Sequence, residues 1–275
     1  DNTRSIIKEF PKIIYFPLDK NIGFGQANNI GIDYALANDA DFIFLLNQDA
    51  VVASGTIGKL IGVALEYPEF GIISPIHLNS DGSKIDKKFQ KYLVSGNPSF
   101  LHDAIFNQLK PIYEVPFINA AAWLLSRECI NAVGKFDPLY FMYGEDNDYC
   151  ERVSLHGFKI GVVPDAHIYH KRIINLSEKS GWEEIQHRST RESVFFIVRL
   201  IKTNKRLLKA IIFWLIDQTS KSIKFLLNRM WKELAISSLS GIIVLSKMPA
   251  IIKRRKQYKS ILIGGNQLYQ GKHEN

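Results

Sequence analysis

Cysteine is almost missing from this 275-residue chain. Cys129 and Cys150 are its two thiols, too few and too isolated for a disulfide framework or a zinc site, so a reduced, cytoplasmic setting is expected. Long apolar runs are missing as well. The longest stretch without charge, Leu234 to Ser246, has 13 residues, short of the roughly 20 that a spanning helix needs. Carried on through Lys247 and Pro249 to Ile252 it becomes a 19-residue segment with one lysine, marginal for insertion. No signal peptide, internal repeat or low-complexity block is visible. The glycines of Asn21-Ile-Gly23-Phe24-Gly25 do not follow the GxGxxG spacing, and no Lys-Ser/Thr of a P-loop accompanies them, so an ATPase reading has no support.

Acidic residues are scarce in one part of the chain only. Residues 194–275 hold 3 Asp/Glu against 16 Lys/Arg, a net charge of +13, whereas residues 1–193 hold 24 against 19, a net of −5. The basic part reads as helices from Ser193 to about Asn204, Lys205 to about Lys232 and Leu234 to about Lys256. Leu, Ile, Phe and Trp interleaved with Lys and Arg suit amphipathic helices lying on an anionic membrane surface. A basic helical bundle packed on the rest of the chain is the plainer alternative. Nucleic acid is disfavoured as a partner, because Phe213, Trp214, Leu226 and Trp231 accompany the charges and no nucleic-acid motif is present.

The densest chemistry lies at Phe141-Met-Tyr143-Gly-Glu145-Asp146-Asn147-Asp148-Tyr149-Cys-Glu151-Arg152, with His170 following. A carboxylate kept ionised near Arg152 and half shielded by Phe141, Tyr143 and Tyr149 suits a general base. Glu145, Asp146 and Asp148 are equally the acidic first turn of a capped helix, and spacing alone does not separate them. Upstream, the apolar run Asp41-Phe-Ile-Phe-Leu-Leu46 predicts a buried strand ending in Asn47-Gln48-Asp49. Strand-end oxygen donors two residues apart suit a divalent cation, with an Asx turn as the alternative. In Ala166-His167-Ile-Tyr-His170, strand alternation sets His167 and His170 on opposite faces. A strand is also expected over Ile13–Phe16 and a helix over about residues 26–38, with Gly23 and Gly25 letting backbone approach a ligand at its start. Residues 79–112, polar and Lys-rich, read as a loop or lid across a site or as a plain surface insertion.

Taken in order, Asn21-x-Gly-Phe-Gly-x-x-Asn28-Asn29-x-Gly31, Leu-Leu-Asn47-Gln-Asp49, Gly134-Lys-Phe-Asp137, the Phe141 to Arg152 segment and His170 resemble glycosyltransferase family 2, over residues 1 to about 193. Within it, the pattern is similar to bacterial rhamnosyltransferase-like enzymes of surface polysaccharide assembly. The resemblance implies an α/β GT-A fold, a mixed Rossmann-like sheet flanked by helices over 1–193, followed by the basic helical region 194–275. It also implies an inverting transfer of a sugar, plausibly rhamnose, from a nucleotide-sugar donor to a glycolipid or polysaccharide acceptor, peripherally on the inner face of the plasma membrane.

By the same resemblance Asp146 is the catalytic base, with Glu145 and Asp148 as neighbours able to replace it. Asp49 and His170 hold Mn2+ or Mg2+, and Asp1, Asn21, Gly23, Phe24, Gly25, Asn28, Asn47 and Asp49 bind the donor. Asn47 stands where the family pattern has the first Asp of its DxD element. Asp1-Asn2-Thr3-Arg4-Ser5 resembles the family's segment after the second strand, so its first strand and nucleotide-base loop are expected to be missing here. A nucleotidyltransferase-like enzyme would also use strand-end carboxylates and a metal, but should show a basic Gly-rich loop near its start. A non-catalytic membrane-bound scaffold of the same fold is the other alternative.

Overall fold

Runs rich in Ile, Val, Phe and Leu, separated by polar turns, build a six-stranded mixed sheet among the described residues of this computed structural model, which describes residues 3–171, 181–202 and 206–270. A short helix α1 (Thr3–Ile7) precedes α2 (Phe24–Ala37), β1 (Phe42–Leu46), β2 (Ala50–Val52), α3 (Thr56–Glu66) and β3 (Phe70–Leu78). Next come α4 (Lys87–Gly96), α5 (Ser99–Ile105), β4 (Tyr113–Glu114), β5 (Ala122–Ser126), α6 (Arg127–Val133), α7 (Glu145–Leu155) and β6 (Lys159–His170). The order across the sheet is β1-β5-β3-β6-β2, with β4 also on β6. Only β3 and β6 pair in parallel among these ladders; the others are antiparallel. The central β3 is buried along almost its whole length, the pattern of a strand covered on both faces. The chain is thus an α/β protein with a mixed sheet flanked by helices.

Two expectations change in the sheet domain. Ile13–Phe16 forms no strand: all four residues are exposed outside regular structure, and no described strand offers them a ladder. An apolar β-branched segment satisfies a propensity, but a strand needs a partner for its backbone groups. Residues 79–112 are not a plain loop, because α4 and α5 lie within them and bury Phe89, Leu93 and Phe100 in the main core. Asp86 caps α4 by accepting from the backbone N–H groups of Lys88 and Phe89, a signal hidden by the surrounding lysines.

The helical region begins earlier than residue 194. Helix α8 (Gly181–Lys202) runs through the expected boundary, and α9 (Leu207–Leu227), α10 (Trp231–Ser246) and α11 (Met248–Gln270) follow. The helix expected through Lys232 stops at Leu227, where Asn228 caps and Arg229 adopts φ +55°. The helix expected to run from Leu234 to about Lys256 breaks at Lys247, just before Pro249, with a 63° bend between α10 and α11. Proline tolerates a first helical turn and not an interior, so the break falls where its ring fits. Phe196, Leu200, Trp214, Val244 and Ile251 form a second apolar core, which Leu139 and Tyr140 join to the sheet domain. No single described helix is long and apolar enough to cross a membrane; α10 and α11 pass that test only as a bent pair.

Candidate functional site

The turn out of β1 carries the first half of the site. Asn47 N–H donates to the Ala121 carbonyl at 2.9 Å, and the chain reverses into β2, whose Ala50 pairs with His170. That register brings Asp49 beside the end of β6: His170 Nε2 lies 3.3 Å from Asp49 Oδ1. The imidazole is 5% exposed and the carboxylate 30%, so the pair opens to solvent on the Asp49 side. Asn47 Oδ1 and Asp49 Oδ1 are both buried, and neither accepts a hydrogen bond, as is also true of Asn119 Oδ1. Buried acceptors without donors are costly, and a carboxylate, an amide oxygen and an imidazole form a donor set that fits a divalent cation. His170 packs edge-on against His77, which stacks on Phe89 and contacts Ser74 Oγ at 3.2 Å. His167 does not join Asp49; its carbonyl accepts from the Thr56 hydroxyl, and burial pushes its pKa down.

The second half stands at the start of α7. Tyr143 and Gly144 both have positive φ, +68° and +85°, and turn the chain so that Glu145 and Asp146 open the helix. Against this turn lies the start of α2. A Cβ on Gly23 would sit 2.0 Å from the Phe141 carbonyl oxygen, and one on Gly25 would sit 2.9 Å from Phe136 Cβ and 3.7 Å from Glu145 Cβ. The two glycines are therefore conditions of packing between α2 and the acidic turn. Asn21 Oδ1 accepts from Gly23 N–H, Asn28 donates to the Phe24 carbonyl, and Phe24 meets Phe136 edge-on. Asp1 lies outside the described residues.

The three acidic side chains in the first turn of α7 separate clearly. Asp148 is held by Arg152 Nε at 2.8 Å and Arg254 at 3.3 Å, while Arg152 also donates to the Val133 and Lys135 carbonyls. The expectation that Arg152 keeps the base ionised is thereby corrected, since i, i+4 spacing gives the guanidinium to Asp148. No described cation pairs with Glu145 or Asp146. Glu145 is 8% exposed with Oε2 unbonded, and burial, then the Asp146 charge, pushes its pKa up to about 7. Burial also raises the Asp146 pKa, opposed by hydrogen bonds from Asn147 N–H and Nδ2 at 2.8 and 3.1 Å. The halves connect through Trp123, which pairs with Leu45 in the sheet, stacks against Phe136 and meets Tyr149 at a tilt.

One organising residue was not singled out for its actual role. Asn29 donates to the Phe136 carbonyl and accepts from the Phe136 N–H, both at 2.9 Å, and so clamps the Gly134–Asp137 segment to α2. The 107-residue separation conceals its partner from any local pattern. Arg254, far off in the basic region, reaches Asp137 at 3.1 Å as well as Asp148.

These features define an α/β protein with oxygen donors at one strand end and a cation-free acidic pair at a helix start. Residues 1–134 match the model of Glycosyl transferase family 2, and the chain resembles rhamnosyltransferases. It is 25% identical over 196 residues to the N-acetylglucosaminyl-diphospho-decaprenol L-rhamnosyltransferase of Mycobacterium tuberculosis (strain CDC 1551 / Oshkosh), covering 62% of each chain. It is 30% identical over 161 residues to the rhamnosyltransferase WbbL of Escherichia coli (strain K12), covering 54% of this chain and 60% of that one. The chain thus spans about 60% of the length of these relatives. The crystal structure of S. aureus TarS superposes with a TM-score of 0.48 at 12% identity, over 76% of this chain and 34% of that one, so the sheet order above remains the statement of fold.

Proposed function

We propose that the chain carries an inverting glycosyltransferase that moves a sugar, rhamnose as the first choice, from a nucleotide-diphosphate donor to a lipid-linked or polysaccharide acceptor. The observation that carries this reading is the pairing of Asn47, Asp49 and His170 with the cation-free Glu145 and Asp146, within a chain whose relatives are named as rhamnosyltransferases. Asp49 and His170, with the Asn47 amide oxygen, would hold Mn2+ or Mg2+, which when bound neutralises the departing diphosphate. Among the described residues no three His, Cys, Asp or Glu converge on one point. Donor phosphates and water would therefore supply the remaining ligands of such an ion.

Asp146 takes the acceptor hydroxyl proton as that oxygen attacks, and its raised pKa makes it a better base than a solvated aspartate. Glu145, partly protonated near pH 7, donates or accepts a hydrogen bond beside it. Asp148 serves instead to tie α7 to α11 through Arg254 and to orient Arg152, which holds the Val133 and Lys135 carbonyls. The acceptor is brought by a membrane surface, for which support comes from exposed Phe213, Ile216, Leu227 and Trp231 on a region of net +13. Release of nucleoside diphosphate from dTDP-rhamnose with Mn2+ and a lipid-linked acceptor tests the reading. Turnover dependent on both partners is expected, and none with any nucleotide sugar would leave the non-catalytic scaffold.

A further inference from the structure

A cleft of about 800 Å³ opens between the segment Val133–Leu139, the start of α2 and the bend from α10 into α11. Five cations line it, Lys135, Arg152, Lys247, Lys253 and Arg254, against one carboxylate, Asp137. Three of the five are matched. Lys135 pairs with Asp33 at 2.6 Å, Arg152 with Asp148, and Arg254 with Asp137 and Asp148.

Lys247 and Lys253 differ, for neither meets a carboxylate at ion-pair distance among the described residues. The Lys247 ammonium donates to the Leu139 carbonyl, which uses one of its three donors. Burial pushes its pKa down, with Asp137 pulling the other way, so its charge is held against a desolvation cost that a bound anion would offset. Lys247 also immediately precedes α11, and Ala250 in the first turn of that helix forms part of the wall. The positive end of a 23-residue helix thus faces the same space. Gln26, another lining residue, adds a buried Nε2 donor without an acceptor.

We propose that this cleft is a second anion site that takes the phosphate or diphosphate group of a ligand, separate from the Asp49–His170 element. Two ammonium groups without a carboxylate partner among the described residues, a helix N-terminus and an unspent amide donor converge there, and compact oxyanions are the chemistry that satisfies all of them. Membrane lipid headgroups and soluble diphosphates share that chemistry. Sugar transfer is not required for the site to bind.

Calorimetric titration of the full chain with inorganic pyrophosphate, in chelator and low salt, reads the site without a divalent cation. Wild type is expected to bind, Lys247→Gln/Lys253→Gln to bind about tenfold more weakly or worse, and the corresponding double arginine variant to recover most of the affinity. Thermal unfolding checks that the variants fold. Should the double glutamine variant not fold, Lys253→Gln alone, at an exposed position, is expected to lose about threefold. Sedimentation with phosphatidylglycerol and phosphatidylcholine vesicles separates the sources. If pyrophosphate displaces the chain from anionic vesicles and the glutamine variant binds them poorly, the phosphate is lipid-borne; if vesicle binding ignores both, the ligand is soluble. Wild-type pyrophosphate affinity in a folded glutamine variant, or binding that requires added Mn2+, would overturn the proposal. Absent sugar transfer with pyrophosphate binding intact would remove the transferase reading and leave this site standing.

Discussion

Replacing Glu145 by glutamine should make the protein more stable at pH 8 and remove a pH dependence of folding. Its carboxyl is pushed from an ordinary 4.5 up to about 7, mainly because a charge there is buried at the packed start of α7. A carboxyl with a raised folded-state pKa binds its proton more tightly in the folded chain than in the unfolded one. Its unfavourable effect is therefore absent below pH 4.5, grows as pH rises from 4.5 through 7, and is complete above 7. At about 1.4 kcal/mol per pH unit of separation, the span between those values gives an upper bound of about 3.5 kcal/mol, which residual solvent screening reduces. Glutamine keeps the shape and hydrogen-bonding capacity but cannot ionise. Urea unfolding of both proteins at pH 5, 6, 7 and 8 measures the difference. Glu145→Gln should gain on wild type with each step and lead by roughly 2–3 kcal/mol at pH 8. Parallel pH profiles for the two proteins would refute the argument that Glu145 is buried without a cation.

Gly23→Ala should destabilise by about 2–4 kcal/mol, measured by the same urea unfolding, because φ +86° and a Cβ 2.0 Å from the Phe141 carbonyl oxygen force α2 and the acidic turn apart. Asp49→Ala should weaken Mn2+-dependent binding of a nucleoside diphosphate by about tenfold or more in calorimetry, with His170→Ala weaker in effect, since the carboxylate supplies charge as well as a lone pair. Leu227→Glu/Trp231→Glu, at side chains 77% and 62% exposed, should reduce sedimentation with anionic vesicles without changing the unfolding midpoint by more than about a degree. High salt should weaken the wild type's vesicle binding and leave an apolar remainder.

Local patterns exposed much of this molecule. The apolar run ending at Leu46, the acidic turn at Glu145 and the alternation that separates His167 from His170 each follow from spacing within a dozen residues. What the sequence concealed depends on distance along the chain. Arg152 stands close to all three carboxylates in sequence, and only helix geometry assigns it to Asp148. The Asn29 clamp on Phe136 and the reach of Arg254 to Asp137 span more than a hundred residues, beyond any local pattern. Ile13–Phe16 shows the converse, since strand propensity is legible but a ladder partner is not. Charge changes after residue 193, whereas the helix that packs into the second core starts at Gly181.

The account rests most directly on Asp146 as the base of sugar transfer. Steady-state transfer from dTDP-rhamnose with Mn2+, measured together with donor dissociation constants, separates chemistry from binding. Asp146→Asn should lower kcat by about 100-fold or more while donor affinity stays within a few-fold, because the base acts on the acceptor hydroxyl and touches no phosphate. Wild-type turnover in a folded Asp146→Asn protein would contradict the assignment and move the role to Glu145.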